Sequence, residues 1–164
     1  MDEEIMNIYP GSDFQLCTIH YMRGLKSKVK ERDLEIMDDA NKMFKCNNKD
    51  EAIGKFNEFK NKWENRYPNI IYNTEIKLGE LLRFYDYPSR IRNSLKSANI
   101  IEIMNGEIRR RIKTVSSFPD GDSAMKIFYL KSIEFNSKHA FRKMNGYYKC
   151  NDEIKEMFNK RYPL

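Results

Sequence analysis

A single stretch of this chain reads as a β-strand, and that scarcity limits the fold more than any other feature. In DFQLCTI, Asp13 to Ile19, the residues Phe14, Leu16 and Thr18 alternate with Gln15, Cys17 and Ile19, the two-residue period of a half-buried strand. One strand has no partner for its backbone groups, and even a lone pair of strands is marginal. Elsewhere the apolar residues recur at the helical period. Helices are expected from about Leu25 to Cys46, from Asp50 to Arg66 behind a cap at Asn47 or Asn48, and from Thr74 to Tyr85. Others are expected over Ser97–Lys113, from Asp122 or Ser123 to Asn136, and over about 151–160. Tyr67-Pro68 is expected to stop the second helix, because a residue before proline is pushed out of the α region.

The 164 residues are enough for one domain, and 40% of them are hydrophobic, so a packed core is expected rather than disorder. A net charge of +6 and a pI near 9.1 favour a polyanionic partner, although charge alone is a weak guide. The three cysteines Cys17, Cys46 and Cys150 are widely spaced, which points to a reducing, cytoplasmic setting. No apolar run reaches the length of a membrane-spanning helix, so no membrane association is expected.

The helix over SANIIEIMNGEIRRRIK carries the most suggestive chemistry. At 100° per residue Ile101, Met104, Ile108 and Ile112 form one apolar face. Glu102, Asn105, Arg109 and Lys113 share the adjoining flank at i, i+3, i+7 and i+11. A carboxylate able to hold Mg²⁺ beside cations able to hold phosphate is what metal-assisted phosphoryl transfer requires. An ordinary solvated flank gives the same pattern. Two further basic groups, Arg23, Lys26, Lys28 and Lys30 and then Arg109, Arg110, Arg111 and Lys113, are candidates for phosphate contact or for plain solvated helix faces. Cys17 and His20 form C-x-x-H, but a structural zinc site needs four ligands, and neither His139, Cys46 nor Cys150 has matching spacing.

Four motifs in order resemble the C-terminal part of Mutator-type insertion-sequence transposases, over about residues 5–145. The first is YPGSDFQLCTIHYMRGLK, through Tyr9, Pro10, Gln15, Cys17, His20 and Arg23. The second is FNEFKNKWENRYP, through Glu58, Phe59, Lys62, Trp63, Tyr67 and Pro68. RFYDYPSRIRNSLKSANIIEIMNGEIRRRIK and SSFPDGDSAMKIFYL complete the set. Ser97-Ala98 in place of a threonine pair, Ile103, and Gly106 inside the helix depart from the family pattern.

The resemblance implies a mostly α chain: the C-terminal portion of an RNase H-like (DDE transposase) catalytic domain with a helical insertion, most of its central sheet missing. The implied divisions are 1–24, a residual strand with the C-x-x-H segment; 25–88, the helical insertion; 89–145, the C-terminal RNase H-like helices; and 146–164, a terminal helix and tail. Glu102 is then the third catalytic acid and a Mg²⁺ ligand, with Asn99 beside it and Cys17 and His20 as a signature near the site or in packing. Arg23, Asn105, Arg109, Arg110 and Lys113 are the implied DNA contacts. Trp63 reads as core or as a stacking platform for an exposed base.

The implied function is that of a truncated transposase, inactive alone for want of two catalytic Asp. Its intact relatives perform Mg²⁺-dependent DNA cleavage and strand transfer at insertion-element ends. The alternative is a non-catalytic module that binds DNA, an intact transposase or a second copy of itself and acts as an inhibitor.

Overall fold

The computed structural model of the chain describes residues 7–97, 99–115, 117–142 and 144–163, and of Asn99 only the backbone. Its contacts divide the chain into two units, Met1–Ser97 with Asn145–Leu164, and Ala98–Met144. The C-terminal segment therefore returns to the first unit.

Helices and turns are the regular structure of the described residues in the first unit. α1 (Thr18–Lys26), α2 (Glu35–Lys42), α3 (Lys49–Trp63) and α4 (Pro68–Ile76) are followed by the short α5 (Leu78–Leu81) and α6 (Arg92–Leu95). The last helix of the chain, Asn151–Arg161, joins them. Phe59, Phe84, Ile36, Met43, Ile71, Leu81 and Leu82 are fully buried here, around Leu25, Phe44, Phe56 and Trp63.

Residues 12–17 are not a strand, and no strand occurs among the described residues. The lone segment satisfies its backbone groups without a sheet. Leu16 N–H donates to the Glu80 carbonyl at 3.1 Å and Thr18 N–H to that of Lys96 at 3.0 Å. The Gln15 side chain substitutes for a neighbouring strand: its amide donates to the Leu16 and Leu81 carbonyls, and its oxygen accepts from Phe84 N–H at 2.7 Å.

Of the helix expected over 25–46, only Leu25 and Lys26, at the end of α1, and Glu35–Lys42, as α2, are α-helical, and α1 itself begins earlier, at Thr18. Lys30 is extended, and a 3-10 turn over Glu31–Asp33 intervenes before α2. The cause is tertiary. The buried Asp33 carboxylate accepts from Arg66 at 2.5 Å and from the Tyr67 hydroxyl at 2.7 Å. Tyr67 in turn accepts from Lys30 N–H at 3.2 Å. These bonds draw the chain off the helical path, and they hold the Asp33 carboxyl below its usual range, first through the Tyr67 hydrogen bond.

α3 begins as expected. Asn48 caps it, its side-chain oxygen accepting from Glu51 N–H at 2.8 Å, and Glu51 accepts from Asn47 N–H at 3.0 Å, close to a capping box. α3 ends at Trp63, three residues before the expected Arg66, and Tyr67 lies outside the helical region ahead of Pro68, which opens α4 at the first helical position, where its missing N–H costs nothing. The helix expected from Thr74 to Tyr85 accordingly starts earlier, at Pro68, and breaks up after Ile76.

The second unit holds α7 (Asn99–Lys113) and α8 (Gly121–His139), and the last helix, in the first unit, is α9 (Asn151–Arg161). α8 is capped by Asp120, two or three residues before the expected cap at Asp122 or Ser123, its carboxylate accepting from Ser123 N–H at 2.7 Å. α7 packs against α8, with Ile108 and Phe135 buried. The His139 ring stacks on Phe135 with ring centres 4.1 Å apart.

α9 is tied to the first unit at both ends. Arg161 pairs with Asp13 and donates to the Tyr87 hydroxyl at 3.2 Å. Burial acts to raise the Asp13 pKa, but the hydrogen bonds from Tyr87 and Arg161 leave it lowered overall. Upstream, Ser94 Oγ donates to the Asn145 carbonyl at 2.9 Å, and Gly146 has φ +86° with its Cα against the Arg90 carbonyl.

Candidate functional site

In the second unit, the acid singled out by the sequence stands in the first turn of α7. Glu102 is exposed, as are Asn105, Arg109 and Lys113, and the spacing puts all four on one flank of a continuous helix. The Asn99 side chain lies outside the described residues. The second acid of α7, Glu107, is engaged by Lys138 of α8 at 3.4 Å.

The C-terminal half of α7 is strongly cationic, with Arg109, Arg110, Arg111 and Lys113 exposed. Two of these side chains partly fold back on their own helix. Arg110 donates to the Gly106 carbonyl at 3.4 Å and Arg111 to Thr114 Oγ1 at 3.3 Å. Cations at a helix C-terminus also suit the macrodipole.

The apolar face expected beside this flank is only partly covered. Ile108 is 7% exposed, whereas Ile101 is 62% and Ile112 40% exposed. α7 has a single helical partner within its unit, so only the centre of the face is shielded.

The donor chemistry of this flank suits a hard cation. The Glu102 carboxylate and the Asn105 amide oxygen, one turn apart, are the oxygen donors that Mg²⁺ accepts. One carboxylate with one amide would leave most of an octahedral shell to water.

In the first unit, Cys17 is the residue before α1 and His20 stands in its first turn, three residues on and exposed. Cys17 is half-buried and makes no side-chain cap for the helix. Arg23 and Lys26 are exposed on the last turns of the same helix. Two clefts flank α1. One, of about 300 Å³, runs between α1 and α2; the other, of about 190 Å³, lies between α1 and α4 and carries Lys28, Asn73 and Lys77 on its walls.

Trp63 is not available to a DNA base in this fold. Its ring is 5% exposed, and its indole N–H donates to Asp39 at 3.0 Å. Of the two readings open from sequence, the geometry favours core. Burial acts to raise the Asp39 pKa, but hydrogen bonds from Lys42, Lys62 and Trp63 bring it down to about 2.

Several motif residues prove to be joints of the fold. Arg92 donates to three backbone carbonyls, of Tyr87 at 2.8 Å, Asn47 at 2.6 Å and Tyr85 at 3.0 Å. It also lies over the Tyr85 ring at 5.4 Å. Lys96 donates to the Phe44 carbonyl at 2.6 Å over the Phe84 ring. Sequence reasoning passed over both, because a cation amid other surface charges carries no mark of the carbonyls that will surround it.

The comparisons with known proteins point to one family. The family profile described as "Transposase, Mutator family" matches residues 1–141. The transposase for insertion sequence element IS1201 of Lactobacillus helveticus is 36% identical over 136 residues, 82% of this chain and 37% of that protein. The transposase for insertion sequence element IS905 of Lactococcus lactis is 29% identical over 160 residues, 97% of this chain and 41% of that protein. The transposase for insertion sequence element ISRM5 of Rhizobium meliloti is 27% identical over 131 residues, 79% of this chain and 33% of that protein. The chain thus spans about two fifths or less of the length of these curated relatives. With a profile match over most of its length and relatives of one kind, the chain belongs to the Mutator family of transposases.

Proposed function

We propose that this chain is the portion of a Mutator-type transposase that carries the third catalytic acid, Glu102, on a helix whose remaining polar flank faces DNA. The observation that carries this reading is the stripe Glu102, Asn105, Arg109 and Lys113 on α7, in a chain of that family. In the complete reaction, Mg²⁺-dependent cleavage and strand transfer at the ends of an insertion element, Glu102 is a metal ligand. The metal supplies Lewis-acid charge at the reacting phosphate. Asn105 is the neighbouring oxygen donor and hydrogen-bonding group. Arg109, Arg110 and Lys113 hold phosphates of the DNA backbone, with Arg23 as a further contact on α1.

DNA strand cleavage needs the whole triad, to which these residues contribute the third acid. By itself the chain acts as a cytoplasmic DNA-binding module, and an intact transposase or a second copy is its expected protein partner. The large apolar side chains left exposed on α8, Leu130 at 63% among them, support this second role as a module that docks onto a transposase and inhibits it.

The DNA and metal reading is tested by binding to duplex DNA bearing insertion-element ends. Affinity is expected to fall steeply with salt, by about one unit of log–log slope for each phosphate contacted. Mg²⁺ is expected to strengthen binding by the native chain and not by Glu102→Gln. Salt-independent binding overturns the DNA reading, and an unchanged Mg²⁺ response in Glu102→Gln removes the metal role of that acid.

A further inference from the structure

We propose that the cleft between α1 and α2 holds one unpaired deoxynucleotide of a DNA strand, with the base on its apolar lining and the phosphates on Arg23 and Lys26. The proposal rests on the transposase reading above and adds a substrate form and a binding site to it.

The cleft combines three chemistries in the arrangement a nucleotide needs. Its lining is mostly apolar and soft, with Met22 from α1, Met37 from α2 and Phe44. Thioethers are polarisable and make favourable contacts with aromatic rings. Every base has an aromatic face, so such a lining accepts any of the four. The Asn41 side chain stands on the α2 wall, half-buried. Its amide offers both donors and an acceptor, the groups that read a base edge.

Arg23 and Lys26 form the α1 rim, three residues apart on one side of that helix. A rim of two cations beside an apolar lining suits a ligand with an apolar face and an anionic backbone. It does not suit an apolar side chain from a neutral partner. A volume of about 300 Å³ lies at the lower end of small-molecule sites. That is room for one base, and a paired base would have to leave its duplex to enter.

The test uses the full chain and fluorescein-labelled oligonucleotides at one low salt concentration, read by anisotropy. Three probes are compared: a single strand, the same strand with its central nucleotides abasic, and the corresponding duplex. The intact single strand is expected to bind about tenfold more tightly than the abasic strand, the order of one stacked base. Met37→Asp and Asn41→Ala should remove that advantage; Asn41 is polar and half-buried, so its variant keeps the fold even if Met37→Asp does not. Arg23→Ala should weaken intact and abasic strands alike.

Equal binding of intact and abasic strands, or an advantage that survives Asn41→Ala, overturns the cleft proposal while leaving DNA binding in place. Failure of all three probes to bind overturns the DNA reading itself, and the cleft proposal with it.

Discussion

The two units use the same kinds of residue to opposite effect. In the first, aromatic and aliphatic side chains from α1 to α5 and the turn around Phe84 close over one another, and Phe59 and Phe84 lose essentially all contact with water. In the second, α7 and α8 are longer than most helices of the first, yet Met125, Phe128, Tyr129, Leu130 and Ile133 stay largely exposed. The apolar side chains of α8 are spread around the helix among lysines and serines rather than gathered on one face, and a single partner helix cannot cover them all. The difference shows that apolar content does not make a core. Several elements crossing at one place do, and the second unit has two.

This contrast can be tested by truncation. Phe59→Ala is expected to cost about 3–5 kcal/mol, the range for a buried aromatic. Leu130→Ala should cost less than about 0.5 kcal/mol, as at exposed positions generally. Trp63, the sole tryptophan, lies in the first core, so its fluorescence during urea unfolding reports that unit alone. Hydrogen exchange of α8 amides reports the other. A large loss of α8 protection in Leu130→Ala would show that the second unit is held by packing after all.

Joints between distant segments should be the next most sensitive. Arg92→Met is expected to cost about 3 kcal/mol in the same fluorescence assay, because the Tyr87, Asn47 and Tyr85 carbonyls lose a charged donor. A loss under about 1 kcal/mol would mean that water replaces the guanidinium. Gly146→Ala should cost about 2 kcal/mol or more. A Cβ there would lie 1.9 Å from the Arg90 carbonyl oxygen, on a backbone already at φ +86°. The expected mark is loss of α9 protection against exchange before the core melts.

The acid response should be smaller. Asp39 has its folded pKa lowered to about 2 from 3.8. Between these values the unfolded chain binds the proton that the folded chain refuses. The stability this group contributes is complete above about pH 4 and is lost as pH falls towards 2. Solvent at the exposed lysine ends reduces the effect to on the order of 1 kcal/mol. Asp39→Asn should flatten the fluorescence-detected stability over that window, and an unchanged pH profile would place the acid sensitivity elsewhere.

Smallest, and of opposite sign, is Gly106→Ala. A Cβ at this position of α7 meets nothing within 4 Å, so the exchange should stabilise the helix by about 0.5–1 kcal/mol. Helicity and α7 protection should rise together. A loss would reveal a close approach at Gly106.

Much of this was legible beforehand, for reasons that differ by residue. The Asn48 cap, the break ahead of Pro68 and the helix carrying Glu102 depend on neighbours within one or two turns, and the sequence displays those neighbours. The family was legible because four motifs kept their order over most of the chain. The break between α1 and α2 was not, because it depends on Asp33 meeting Arg66 and Tyr67, more than thirty residues away. Gln15 shows the same limit: alternation made its segment look like a strand, and contacts with Leu81 and Phe84 made it a pinned extended loop instead.

By itself, then, the sequence determined the local elements, the basic character and the stripe of Glu102, Asn105, Arg109 and Lys113, because helical geometry fixes which residues share a flank. Only the tertiary structure decided which apolar residues became core, that Trp63 lies buried against Asp39, and that α9 returns to clasp Asp13 and Tyr87. It also decided that Met22 and Met37 face one cleft with Arg23 and Lys26 at its rim. Burial and carbonyl contacts are set by residues distant in the chain, and no local pattern encodes their meeting.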